Sequence, residues 1–212
     1  MKSPSYVIFI AVLCCTGNCF QSKADNYPDQ IKWEKINIAF VEFIRNPSLE
    51  SAKIFSGNLP GDRVLGGNRS RGEILEYIFN EARYRCLEDE MSKGNKYAVE
   101  AAYRLLNLTD ASYTVILLQT IGDLAKKRPS LFLEILDEYK YSQSIKLLGL
   151  PVTETGYLSE PTKIVAELEL RRKALEGEKS ERYSEIREEC LRLLRLSIKY
   201  WLDYKIGDCR AA

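Results

Sequence analysis

Residues 95–140 most narrowly limit what this chain can fold into. They carry three helix-length apolar patterns separated by connections of only two to four residues. In "KYAVEAAYRLLNL" the apolar face is Ala98, Ala101, Ala102 and Leu105. In "DASYTVILLQTIGDLAKK" it is Val115, Leu118, Ile121 and Ala125, and in "RPSLFLEILDEY" it is Phe132, Ile135, Leu136 and Tyr139. Spacings of three and four residues place each set on one side of an α-helix. Helices joined this tightly must pack as neighbours with alternating direction, and small alanine faces let them approach closely. Asp110 suits the N-cap of the second helix, and Pro129 suits the first turn of the third, where no backbone N–H is needed.

The flanking sequence reads the same way. Trp33, Ile36, Phe40, Phe43 and Ile44 mark one face of a helix over residues 29–45, which Asn46-Pro47-Ser48 stops before a shorter helix at 49–55. Over residues 72–91 the stripe is Leu75, Ile78, Phe79, Ala82 and Cys86, which points Cys86 inward. Ser70 and Glu73 stand as a capping box, and Gly94-Asn95 closes that helix. Ser159 and Pro161 open a helix that runs to Leu175 and ends at Gly177. In the last helix Tyr183, Ile186, Cys190, Leu193, Leu194, Ser197, Trp201 and Tyr204 hold one face for about six turns. No segment alternates with the period of two expected of a strand.

The fold expected is therefore all-α: an irregular helical bundle or a short HEAT-like α-solenoid of about seven to eight helices. The order of short helices over residues 95–140 resembles an α-solenoid of the HEAT kind in architecture, although no clean repeat of about 34 to 47 residues runs through the chain.

Upstream of these helices, residues 6–15 form an apolar run preceded by Lys2 and followed by a polar segment with small residues at Ser22 and Ala24. About ten apolar residues are half of what a membrane-spanning helix needs. The pattern matches a secretory leader instead, with cleavage after Ala24. The expected organisation is a signal peptide at 1–24 and a single α-helical domain at 25–212, exported to the periplasm or outside the cell. Cys14, Cys15 and Cys19 follow the apolar core, but none is preceded by an aliphatic residue and two small ones, so a lipid anchor is not expected.

Cleavage would remove Lys2 and Lys23 and no acid, leaving 29 of the 31 basic residues against 30 acidic ones. That balance argues against nucleic acid as a partner. The chain contains no histidine. Histidine-based nucleophilic devices, proton shuttles and His-ligated metal sites are thereby excluded. Enzymes that run on paired carboxylates survive this exclusion. No cofactor or metal motif is present, and none is expected.

Three cysteines follow the leader: Cys86, Cys190 and Cys209. In an oxidising compartment one bridge with one leftover thiol is one reading, and Cys86 and Cys190 as reduced core residues is the other. If the last helix runs to Lys205, Cys190 lies roughly 22 Å from its end. Four extended residues span at most about 14 Å, too few to bring Cys209 back to Cys190. The remaining choices are Cys86 with Cys209 or Cys86 with Cys190.

"SGNLPGDRVLGGNRSRGE", residues 56–73, is the longest irregular segment. Its glycines, with Arg63, Asn68, Arg69 and Arg71, make it the candidate binding loop, although it lacks the Gly-Lys-Ser/Thr ending of a phosphate loop. Glu88, Asp89 and Glu90 diverge by 100° steps around a helix and form no pair by themselves. Glu73 with Glu76 and Glu185 with Glu189 do share faces. Thirteen tyrosines suit protein contacts, and Tyr84, Tyr97, Tyr103, Tyr141 and Tyr157 fall near helix ends or loops. Asn68 and Asn107 match the N-glycosylation pattern. The function expected is an exported protein-binding module: an inhibitor, an immunity protein or an envelope scaffold. The alternative is a carboxylate-dependent glycoside hydrolase acting on cell-wall or other polysaccharide. An enzyme should bring two acids together in a cleft with one pKa raised, whereas a binder should expose an aromatic patch.

Overall fold

A computed structural model describes residues 32–61, 69–109, 111–139, 149–156 and 160–208. The leader at 1–24, Arg63, Asn68, Asp110, Tyr141, Tyr157, Ser159 and Cys209 lie outside the described residues.

The described residues form ten α-helices and no strand. They are α1 (Trp33–Arg45), α2 (Leu49–Asn58), α3 (Arg69–Ile78), α4 (Glu81–Lys93), α5 (Lys96–Leu105), α6 (Ala111–Lys127), α7 (Pro129–Tyr139), α8 (Gly149–Thr153), α9 (Pro161–Gly177) and α10 (Ser184–Asp208). A short 3-10 turn at Glu181–Tyr183 leads into α10. The packing is that of an irregular bundle. Helix α2 packs on α5, three elements further along, and α6 touches α4, α5, α7, α8 and α9. In a solenoid each unit meets only its sequence neighbours, so these contacts give the solenoid form no support.

Local chemistry explains most of the boundaries. Ser48 caps α2: its Oγ accepts from the Ser51 N–H at 3.2 Å, and Ser51 Oγ accepts from the Ser48 N–H at 3.0 Å. Gly94 ends α4 in the left-handed conformation at φ +95°, which glycine adopts without strain. Asn95 then caps α5 by accepting from Ala98 N at 3.4 Å. Its amide also donates to Ser48 O at 3.2 Å and to Glu90 Oε2 at 3.1 Å, tying the start of α2 to the end of α4. Pro129 and Pro161 each stand at the first position of their helices.

The segment at 69–93 differs from expectation. The single helix expected there is two, because Asn80 leaves helical geometry at φ −57°, ψ 131° and stands at the N-cap position of α4. The break restarts the helical phase, so Tyr84, Leu87 and Met91 face the core. Ala82 becomes exposed and Cys86 only half-buried, contrary to the inward position expected for Cys86. Helix α3 begins at Arg69, so Ser70 falls inside its first turn rather than at a cap. With the split and the short α8, the helix count exceeds the seven to eight expected.

The core is continuous. Near the N-terminal end Phe40 lies 5.0 Å from Phe55 and 6.4 Å from Phe43 between ring centroids, with Tyr77 edge-on at 6.1 Å. Ala98, Ala101, Ala102 and Leu105 are all buried, as are Leu118, Ile121, Phe132, Ile135 and Leu136. Leu168, Leu175, Cys190, Leu191, Leu194 and Ile198 carry the core into the α9–α10 pair.

Candidate functional site

Three features of the surface and its support bear on function. The first is a buried ionic centre beneath α8. Arg171 lies on the apolar face of α9 between Leu168 and Leu175 and is 0 % exposed. Its Nη1 is shared among three backbone carbonyls, those of Pro151 and Val152 at 3.2 Å and Glu154 at 2.6 Å. These are carbonyls a helix C-terminus leaves without internal partners, so Arg171 caps α8 from below. Nη2 donates to Asp123 at 3.3 Å and Nε to Glu167 at 3.1 Å. Lys126 donates to both Glu167 oxygens at 2.7 and 2.8 Å and lies 3.4 Å from Asp123.

These partners set the charges. Burial alone would push the Glu167 carboxyl up, but the Lys126 hydrogen bond and the Arg171 and Lys126 charges outweigh it and hold the group below its ordinary range. Burial dominates at Glu154 and raises its carboxyl, despite a hydrogen bond from the Gly156 N–H at 2.8 Å.

The second feature is a groove between α4 and α6 of about 280 Å³, lined by Glu88, Asp89, Ser92, Gln119, Asp123 and Lys127 among others. Thr120 of this lining accepts through Oγ1 from the buried Tyr84 hydroxyl at 2.9 Å. The Thr120 hydroxyl reaches Glu88 at 3.1 Å, with the Ile116 carbonyl an alternative acceptor at 3.0 Å. Burial pushes the Tyr84 phenol well above its ordinary range. Asp123, on the groove wall, is already engaged by Arg171, Lys126 and Lys127. No group of three or more acids and cysteines among the described residues is arranged to hold a metal ion.

The third feature is the outer side of α10. Of the eight residues expected on its core face Cys190 and Leu194 are buried, joined by Leu191 and Ile198, while Tyr183, Ile186, Leu193, Ser197, Trp201 and Tyr204 are half-buried. Beside that face Leu196 and Tyr200, four residues apart, add exposed apolar surface between Leu193 and Tyr204 of the expected face. Leu196 is 54 % exposed and Tyr200 42 % exposed, and Leu202 nearby is 46 % exposed. The rings cluster: Tyr200 stands edge-on to Trp201 at 5.4 Å and stacks towards Tyr204 at 6.5 Å. Among the described side chains of the helix Ile198 is the last buried one, and those from Lys199 to Tyr204 are half-buried or exposed. Arg192, Arg195 and Lys199 line one flank, all exposed. Among the described residues no helix is long and apolar enough to cross a membrane.

The residues singled out in the sequence scatter. Arg71 lies in α3, not in a loop, and its Nε donates to the Leu108 carbonyl at 2.7 Å, anchoring α3 to the end of α5. Arg69 opens α3, and its side chain is outside the described residues. Cys86 and Cys190 are free thiols, not bridged to each other. Tyr84 and Tyr103 are core residues rather than contact residues, and Tyr97 is half-buried. Glu90 is buried and hydrogen-bonded by Lys93 at 2.7 Å, which holds its carboxyl below the usual range. Glu73, Glu76, Glu185 and Glu189 are exposed.

Two features escaped the sequence reading. Arg171 looks like one charge of an "RRK" run, yet it falls three residues after Leu168 and four before Leu175, and that spacing was a readable signal. Leu196 and Tyr200 lie off the one apolar face that spacing marks on α10, so periodicity does not single them out.

Comparison with protein-family models, curated proteins and solved structures finds no match to this chain.

Proposed function

We propose that this chain is an exported α-helical module that works by binding another protein through the outer face of α10. What carries the reading is the apolar pair Leu196 and Tyr200, both exposed beside a core face that buries Cys190, Leu191, Leu194 and Ile198. Apolar residues spaced this way receive the apolar side of a partner helix. Arg195 and Lys199 on one flank favour acidic side chains beside that apolar side, while Arg192 is already paired with Glu189 at 2.6 Å. An inhibitor, an immunity protein and an envelope scaffold all work by such contacts. Export rests on the leader pattern of residues 1–24.

The groove favours the alternative to the extent that Glu88, Asp89 and Asp123 share its lining. Against a glycoside hydrolase, Asp123 is held by three cations, and Glu154, the carboxyl that burial raises, is not part of that lining.

The test is capture from the host's envelope and secreted fractions with the wild type and with a Leu196→Glu, Tyr200→Glu double variant. One stoichiometric partner held by the wild type and lost by the variant, at unchanged thermal stability, supports the reading. Equal capture by both forms overturns it. Polysaccharide hydrolysis that disappears in Glu88→Gln or Asp123→Asn would put the hydrolase in its place.

A further inference from the structure

We propose that α10 pairs antiparallel with α10 of a second copy of this chain, through the face of Leu196, Lys199, Tyr200 and Asp203. This inference rests on the reading of α10 as a contact face and names what meets it. The four residues follow one another at i, i+3, i+4 and i+7, so they lie on one side of the helix, and all four are exposed. Helix α10 runs to Asp208, about 15 Å beyond Ile198, the last buried side chain described on it. The bundle thus leaves this face open to a second molecule.

The charges choose the occupant. Upstream on α10 the exposed cations are met within the chain, Arg192 by Glu189 at 2.6 Å and Arg195 by Glu176 at 3.9 Å. Among the described residues neither Lys199 nor Asp203 is in an ion pair, although they stand four residues apart. One cation and one anion on a single face are self-complementary. When a second α10 lies antiparallel, Lys199 meets Asp203 of the second copy, and the two-fold axis repeats the contact with the roles exchanged. A parallel pair would set Lys199 beside Lys199 and Asp203 beside Asp203, which repel. In the antiparallel register the Tyr200 rings of the two copies come together near the axis, where a large ring contributes most to the contact. Each ring already stands against Trp201 at 5.4 Å between centroids, which orders it before the copies meet. The contact is one helix face per copy, so a reversible dimer is expected rather than a permanent one.

The experiment is sedimentation velocity on the protein purified from its host, over about 1 µM to about 1 mM and at low and high salt. The expected result is a reversible dimer that weakens as salt rises. Lys199→Asp alone or Asp203→Lys alone places like charges opposite each other and should weaken the dimer about tenfold or more. The Lys199→Asp, Asp203→Lys double variant restores the pairs with their signs exchanged and should return to within about threefold of the wild type. Tyr200→Glu should leave monomer only. All three positions are exposed, so circular dichroism should be the same for every form. A wild type that stays monomeric overturns the inference, and so does a dimer that tolerates Tyr200→Glu. A double variant no better than the single ones overturns the antiparallel register. A monomeric chain that still captures a host protein through Leu196 and Tyr200 leaves the contact face standing and removes only this occupant. A dimer that captures nothing else keeps this occupant and removes the reading of a different protein as partner.

Discussion

Arg171 Nη1 and the Glu154 carbonyl oxygen stand 2.6 Å apart, joining the middle of α9 to the chain just beyond α8 in a place where the arginine has no contact with water. The same guanidinium faces Asp123 and Glu167, so a charge that would be costly alone is matched from two helices. Arg171→Met removes the cation and leaves two carboxylates and three carbonyls without it. A loss of about 3 to 5 kcal/mol is expected, as for other broken buried pairs. Urea unfolding followed by circular dichroism would show it as a lowered midpoint with an unchanged slope.

Glu167 and Glu154 should respond to pH in opposite directions. The Glu167 carboxyl titrates below its ordinary value of 4.5 when folded, so its stabilising contribution is present above that value and lost as pH falls through the folded one. The Glu154 carboxyl is raised, so its contribution is present below 4.5 and lost as pH rises through its folded value. Glu167→Gln should therefore cost more at pH 7 than in acid, and Glu154→Gln should cost less at pH 7 than in acid. Unfolding midpoints for both variants across acidic and neutral pH give the check, and parallel curves would refute the assignment.

Phe40 is fully buried among Phe43, Phe55 and Tyr77. Replacing it with alanine opens a cavity where α1 meets α2. The expected cost is about 3 to 5 kcal/mol, measurable in the same urea titration.

The two described thiols should differ sharply in reactivity. Cys190 is buried, and burial pushes its thiol up to about 12, whereas Cys86 is half-buried near the surface of α4. A maleimide reagent in slight excess at neutral pH should modify Cys86 within minutes and reach Cys190 only on unfolding. Peptide mass mapping gives the answer directly, and native modification of Cys190 at the Cys86 rate would contradict the burial.

Much of the helical order was legible because its signals are local. Pro129 and Gly94 each act within one turn of chain, and the alanine face of α5 follows from spacing alone. Errors began where phase depended on a single residue. Asn80 breaks a pattern that is otherwise continuous, and one reset turned Cys86 outward and Tyr84 inward. Arg71 looked like an anion-binding residue of a loop until the end of α5 supplied the carbonyl it serves. The sites were less legible still, because the groove and the ionic centre are each assembled from residues of separate helices.

By itself the sequence determined that the described residues are helical, where most of these helices end, and, outside α4 and α10, which side of each carries its apolar face. Those properties depend on interactions across three or four residues, and such interactions are present in the sequence whatever lies beyond them. Only the tertiary structure decided that the helices form a bundle, that Arg171 is interior, that Gly122 admits the Pro151 carbonyl, and that Leu196 and Tyr200 remain uncovered. The energy of a buried charge or an exposed ring depends on what packs against it from distant parts of the chain. Helical periodicity says which residues share a face, and only the approach of other helices says whether that face is filled.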